Sequence, residues 1–190
     1  MGHRGATLGG VAAPEMTAAD VGEFLTLMDH LGIGIWLDGG WAVDACLGAQ
    51  TRRHGDLDII VQQHDAPAAV AALHDRRYRP VPGDEATAWN FVLGDEAGHL
   101  IDIDVVAVDA GGHGIYGPPD NGQCYPAAAL AGTGWIGGRE VACISPPWLV
   151  RLHTGYAVDA DDWADVSALC ERFDIPVPED YQRFQQPHRG

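Results

Sequence analysis

Two pairs of aspartates, Asp56 with Asp58 and Asp102 with Asp104, are each split by one residue inside runs that otherwise read as core strands, TRRHGDLDII (51–60) and LIDIDVVAV (100–108). Alternate residues of a strand point to the same face, about 7 Å apart along the chain. Each pair therefore faces one way, while Leu57, Ile59, Ile101 and Ile103 face the other. A single pair of this kind also describes a solvated strand face; a second pair in a second apolar strand shifts the reading toward a site. If the strands are neighbours, four carboxylates crowd together. Each like-charged pair then costs about 2 kcal/mol at an effective dielectric of about 20. Divalent cations relieve that repulsion. Magnesium suits the all-oxygen donor set, since it keeps some waters and completes its shell with phosphates. Two such ions can serve a nucleophile and a leaving group in one displacement.

The residues upstream fit a phosphate ligand. IGIWL (33–37) reads as a strand that runs into Asp38-Gly39-Gly40, and WAVDACLG then reads as a helix ending at Gly48. A strand–Gly-Gly–helix turn leaves backbone N–H groups free at a helix N-terminus, which is a cradle for phosphate. Its plain alternative is a strand-to-helix turn with no ligand. Arg52 and His54, just before the first acidic strand, are placed to neutralise a triphosphate. Trp89 and Asn90 lie on the strand next to the second acidic run and are candidates for an acceptor pocket, Trp89 equally for the core; Tyr116 in the Gly- and Pro-rich stretch 111–122 is the better candidate for substrate contact. His153 and Tyr156 are spaced to share one side of a C-terminal helix, either covering the nucleotide or, the slightly favoured role, packing against the sheet.

Other elements must carry these residues. Thr17 caps a helix with Asp20 three residues on, and Val21, Phe24, Leu25, Met28 and Leu31 follow at helical spacing. A further helix starts at Asp65 with Pro67 in its first turn. WNFVLG (89–94) and 100–108 are strands around a turn at 95–98, and Gly137-Gly138 marks a hairpin. From Pro146 the pattern turns helical over 148–156 and 161–173. The organisation expected is a low-complexity, flexible segment 1–15, a core over 16–145, a helical segment 146–184 packed on it, and a tail 185–190. The fold class is α+β, a mixed sheet flanked by helices.

Composition excludes some functions. Of 190 residues, 27 are acidic and 11 basic, every basic residue is Arg, and the net charge is −16. Such a field repels nucleic-acid backbones and draws in cations, whether metals or amines. No apolar run is long enough for a membrane span, and the first residues lack an apolar signal core, so a cytoplasmic location is expected. Cys46, Cys124, Cys143 and Cys170 form no C-x-x-C pair and read as buried thiols.

A Gly-containing turn, then a basic segment, then D-x-D, then an acidic later strand resembles the polymerase-β-type nucleotidyltransferase superfamily. WLDGGWAVDACLG, TRRHGDLDII, WNFVL, GIYGP with NG, HTGY and ALCERFDI are together similar to the small lincosamide nucleotidyltransferases of antibiotic resistance, over about residues 18–184. The resemblance implies the nucleotidyltransferase fold and transfer of AMP from ATP, with Mg²⁺, to a hydroxyl of an antibiotic such as lincomycin or clindamycin. By motif it makes Asp56 and Asp58 metal ligands, Gly39 and Gly40 the nucleotide turn, and Asp102 the third carboxylate. Asp104 stands where His is usual in those enzymes, so the general base is either Asp102 or Asp104. The implied partners are a nucleoside triphosphate and a small-molecule antibiotic, with no nucleic acid and no membrane; a homodimer is compatible with this. Two rivals share the pattern: an aminoglycoside nucleotidyltransferase, and a nucleotidyltransferase-like toxin–antitoxin component.

Overall fold

The computed structural model of the chain describes residues 14–82, 85–118 and 123–185. Its first helix, α1 (Ala18–Leu31), begins where expected: the Thr17 side chain accepts from the Asp20 amide while the Asp20 carboxylate accepts from the Thr17 amide, a reciprocal capping box. Strand β1 (Ile35–Leu37) leads into α2 (Gly39–Leu47), capped by Asp38. Then follow β2 (Asp56–Gln62), α3 (Ala66–Asp75), the short β3 (Arg79–Pro80), β4 (Asn90–Gly94) and β5 (Leu100–Val108). Short strands β6 (Gly114–Tyr116) and β7 (Cys124–Tyr125) precede the hairpin of β8 (Gly132–Ile136) and β9 (Arg139–Cys143). The chain ends in α4 (Pro146–Leu152), α5 (Ala160–Phe173) and, after a turn of 3₁₀-helix, α6 (Gln182–Gln185). No helix among the described residues is long and apolar enough to cross a membrane.

One mixed sheet runs β3-β4-β5-β2-β1-β9-β8, with β6 and β7 added beyond β5. The decisive pairing is β2 with β5, parallel, with Asp58 opposite Asp102 and Leu57 opposite Ile101. Directly opposed residues share a face, so all four aspartates look to one side. Leu57, Ile59, Ile101 and Ile103 look to the other, where they are almost fully buried. Helices α1 and α3 cover that second face, their Phe24 and Leu73 standing with Leu57 and Ile101 around one cavity. Helix α2 covers it further along, over β8 and β9. It comes so close that a Cβ at Gly134 would lie 2.4 Å from the Ala45 carbonyl. Gly134 has no side chain because the helix backbone occupies that space.

Three expectations change. Residues 111–122 are not one long loop: Gly114–Tyr116 is a strand paired with β5, which places Tyr116 opposite Val106. The helix expected over 148–156 stops at Leu152 with His153 as its C-cap, and the backbone then turns through Gly155 at φ +84°, so His153 and Tyr156 share no helix face. Of the expected flexible segment 1–15, Glu15 is engaged, pairing with Arg53 at 2.8 Å. Residues 1–13, the Asn121-Gly122 part of the family pattern and the tail 186–190 lie outside the described residues.

Candidate active site

Of the aspartates of β2 and β5, Asp104 lines a cavity of about 350 Å³. Asp38 and Gly39 at the β1–α2 junction form part of its wall, with Asp104, Tyr116 and Tyr125; Trp148, Leu152, His153 and Tyr156 close it from the C-terminal segment. That volume falls in the range of small-molecule sites, and the mix of aromatic surface with two carboxylates is what such sites usually show.

Asp104 is 7% exposed, and both its oxygens are held. Tyr125 donates its hydroxyl to Oδ2 at 2.6 Å, and the Asn90 amide donates to Oδ1 at 2.9 Å. The same Asn90 nitrogen donates to Asp102 Oδ1, also at 2.9 Å. Asn90 thus clamps two like charges, and Tyr125 shields one of them. Burial pushes the Asp104 carboxyl above its ordinary range. The Tyr125 and Asn90 hydrogen bonds pull against this, and the nearby charges of Asp38 and Asp102 reinforce it. Metal ions are therefore not the sole device that makes the acidic cluster tolerable, contrary to the expectation from charge alone.

The Gly-Gly turn fits tightly against its neighbours. Gly39 has φ +56°, and a Cβ there would lie 2.0 Å from Asp58 Oδ2. The left-handed backbone and the carboxylate each exclude a side chain. At Gly40 a Cβ would lie 2.5 Å from His54 Nδ1 and 2.7 Å from an Arg52 guanidinium nitrogen. Asp38 caps the turn by accepting from the Gly39 amide at 2.8 Å.

Arg52 and His54 do sit beside this turn, but other groups hold them. His54 is 3% exposed, with Nε2 2.5 Å from Asp44 of α2, itself 1% exposed. Asp44 also accepts from the Thr51 amide and hydroxyl. Arg52 forks onto Asp165 of α5, the shortest contact being 2.7 Å. Burial lowers the Arg52 pKa, but its bonds and charge attraction to Asp165 raise it further, so the guanidinium stays charged. His54 is thus a buried support under the turn, and Arg52 a partly exposed cation tied to α5.

Trp89 takes the core alternative: it is half-buried, packs against the core and is absent from the cavity wall. Tyr116 is in the wall, 5% exposed and edge-on to Tyr125. His153 and Tyr156, for which packing was only slightly favoured over a site role, line the cavity as well. They are steadied from behind, since Tyr181 donates to the His153 carbonyl at 2.5 Å and Tyr156 donates to Asp162 at 2.8 Å. Residues that the sequence did not single out are Asp38, Tyr125, Trp148 and the Asp44 and Asp165 anchors. Asp38 alone carried a local signal, as the cap residue before Gly-Gly.

No three His, Cys, Asp or Glu side chains among the described residues already enclose a space for an ion. An ion that takes one or two carboxylates and fills its shell from phosphates and water does not need such a cage. The all-oxygen donors of Asp56, Asp58 and Asp102, beside a cradle kept clear of side chains, fit that kind of ion.

Comparison with known proteins adds a family. A family model described as aminoglycoside-2''-adenylyltransferase matches residues 20–169. A lincosamide resistance protein of Staphylococcus haemolyticus is 26% identical over 155 residues, 81% of this chain and 94% of that protein. A 2''-aminoglycoside nucleotidyltransferase of Klebsiella pneumoniae is 30% identical over 148 residues, 74% of this chain and 76% of its own length. Among solved structures, the lincomycin-bound lincosamide antibiotic adenylyltransferase LnuA matches with a TM-score of 0.73 at 25% identity, covering 82% of this chain and 98% of that one.

Proposed function

The chain belongs to the aminoglycoside-2''-adenylyltransferase family, and on that premise we propose that it transfers AMP from Mg-ATP to a hydroxyl of a lincosamide antibiotic, releasing pyrophosphate and inactivating the drug. It is a nucleotidyltransferase, like its relatives. The observation that carries the choice of acceptor is the cavity wall. Tyr116, Tyr125, Pro126, Trp148, Leu152 and Tyr156 offer aromatic and aliphatic surface, against only two carboxylates, Asp38 and Asp104. A lincosamide presents one amine, a sugar and apolar groups, which this wall matches. An aminoglycoside presents several ammonium groups and calls for more acidic contacts.

In the proposed reaction the acceptor hydroxyl lies in the cavity against Asp104, and its oxygen attacks the α-phosphorus. The bond from that phosphorus to the bridging oxygen breaks, and pyrophosphate leaves along the Gly39-Gly40 turn, where backbone N–H groups and Arg52 receive its charge. Asp104 takes the hydroxyl proton. It is favoured over Asp102 because it lines the cavity, whereas Asp102 is opposite Asp58 in the ladder. Magnesium, held by Asp56, Asp58 and Asp102 with phosphate oxygens, would supply positive charge to the triphosphate as it reacts. Tyr125 and Asn90 fix the carboxylate geometry, and Asp44 holds His54 under the turn.

The 30% identity to 2''-aminoglycoside nucleotidyltransferases and the net charge of −16 favour a second reading, a polycationic acceptor. Pyrophosphate release from Mg-ATP with lincomycin, clindamycin and kanamycin in parallel separates the two. Turnover with the first two and none with kanamycin is expected; the reverse pattern overturns the lincosamide assignment.

A further inference from the structure

Two thiols outside the proposed chemistry touch each other. Cys46 Sγ lies 3.6 Å from Cys143 Sγ, one near the end of α2 and the other at the last residue of β9. Cys46 is half-buried and reachable from solvent, whereas Cys143 is fully buried. We propose that this pair is a modification site, a dithiol that hydrogen peroxide converts into an intramolecular disulfide, and that the cross-link weakens nucleotide binding at the Gly-Gly turn.

The chemistry balances with peroxide as oxidant. The Cys46 thiolate attacks one peroxide oxygen, the O–O bond breaks, and hydroxide leaves and is protonated to water. The resulting sulfenic acid is attacked at sulfur by Cys143. Its S–O bond breaks, the S–S bond forms, and a second water departs with the Cys143 proton. The roles follow from environment. The hydrogen bond to Cys143 lowers the Cys46 pKa against the opposing effect of burial, while the same bond, burial and the Cys46 and Asp38 charges push the Cys143 thiol up. The half-buried Cys46 thiol is therefore the attacking group, and the fully buried Cys143 resolves it.

Both sulfurs are mechanically tied to the turn. Cys143 pairs across the sheet with Leu37, which immediately precedes Asp38, and Cys46 lies on the helix that Gly39 begins. Closing 3.6 Å to bonding distance draws the sulfurs together by about 1.5 Å. Gly39 has no clearance for such a movement, because Asp58 Oδ2 already fills the position of its missing Cβ. The inference needs only the nucleotide site and not the lincosamide reading, so its readout is nucleotide affinity.

The test treats the full chain with hydrogen peroxide, then digests it with trypsin without reduction. Peptides 5–52 and 140–151 each hold one of these cysteines and no other. A linked pair, lighter by two hydrogens and separated by dithiothreitol, is expected. Titration with Mg²⁺ and a non-hydrolysable ATP analogue should show a Kd raised at least about fivefold after oxidation and restored by dithiothreitol. In Cys46→Ser, which keeps the exposed Cys124 at the cavity, the Kd should not respond to peroxide. Absence of the linked peptides overturns the proposal, and so does an equal change of Kd in Cys46→Ser.

Discussion

Replacing Asp58 with asparagine keeps volume and removes one charge, so it separates chemistry from folding. The side chain is 7% exposed and closes against Gly39. Asp58→Asn should cut turnover at least about a hundredfold, equivalent to about 2.7 kcal/mol, with little change in Tm. A near-normal rate would remove Asp58 from the metal-ligand set. Tyr125→Phe probes a different role. It deletes the donor to Asp104 Oδ2 and leaves a buried carboxylate oxygen short of a partner, a loss of about 1–3 kcal/mol. Both Tm and kcat should fall, with KM for ATP little changed. An unaltered kcat would mean that the hydroxyl only packs against Tyr116.

Among the elements, α2 carries the heaviest constraints. Gly39 to Ala45 are all buried, including the charged Asp44, because the helix is covered by the sheet on one side and by α4 and α5 on another. Its one charge is tolerated because His54 and Thr51 saturate it. The β1–α2 turn owes its shape to that burial as much as to glycine. At the other end of the fold, α1 depends on a local device. Thr17→Ala should cost about 1 kcal/mol of stability, read as a lower midpoint in urea. The partner carboxylate sets a pH dependence. Burial alone would raise the Asp20 pKa, but the bonds to Thr17 outweigh it and lower it below 3.8. A group depressed in the folded state contributes stability above its unfolded pKa and loses it as pH falls through the folded value. The Thr17→Ala penalty should therefore be full at pH 7 and shrink below about pH 4; a penalty independent of pH would show that Asp20 does not take part.

For the whole molecule, the acidic field and the nucleotide oppose each other, since a chain of charge −16 repels a triphosphate. Binding of a non-hydrolysable ATP analogue should therefore need Mg²⁺. At about 100 times Kd the complex gains about 2.7 kcal/mol, a Tm rise of about 5–10 °C, and EDTA should abolish it. An equal rise in EDTA would show that the carboxylates do not work through a metal. The C-terminal segment belongs to this scale too. Trp163, Tyr181 and Phe184 stack as a cluster that backs the 153–156 turn, and through it α5 and α6 shape a cavity whose acids lie far away in sequence.

Spacing along the chain determined a good deal by itself. Alternation places Asp56 with Asp58 and Asp102 with Asp104, and Gly-Gly after a strand specifies an open helix start; both are local consequences of backbone geometry. The capping of α1 was legible for the same reason. Tertiary structure alone decided that β2 lies beside β5 in parallel register, that Asn90 and Tyr125 clamp the carboxylates, and that Asp44 and Asp165 hold the basic segment. Those partners stand up to 113 residues apart. Periodicity shows which way a side chain points, but which distant group meets it is set by the cooperative closure of the whole core.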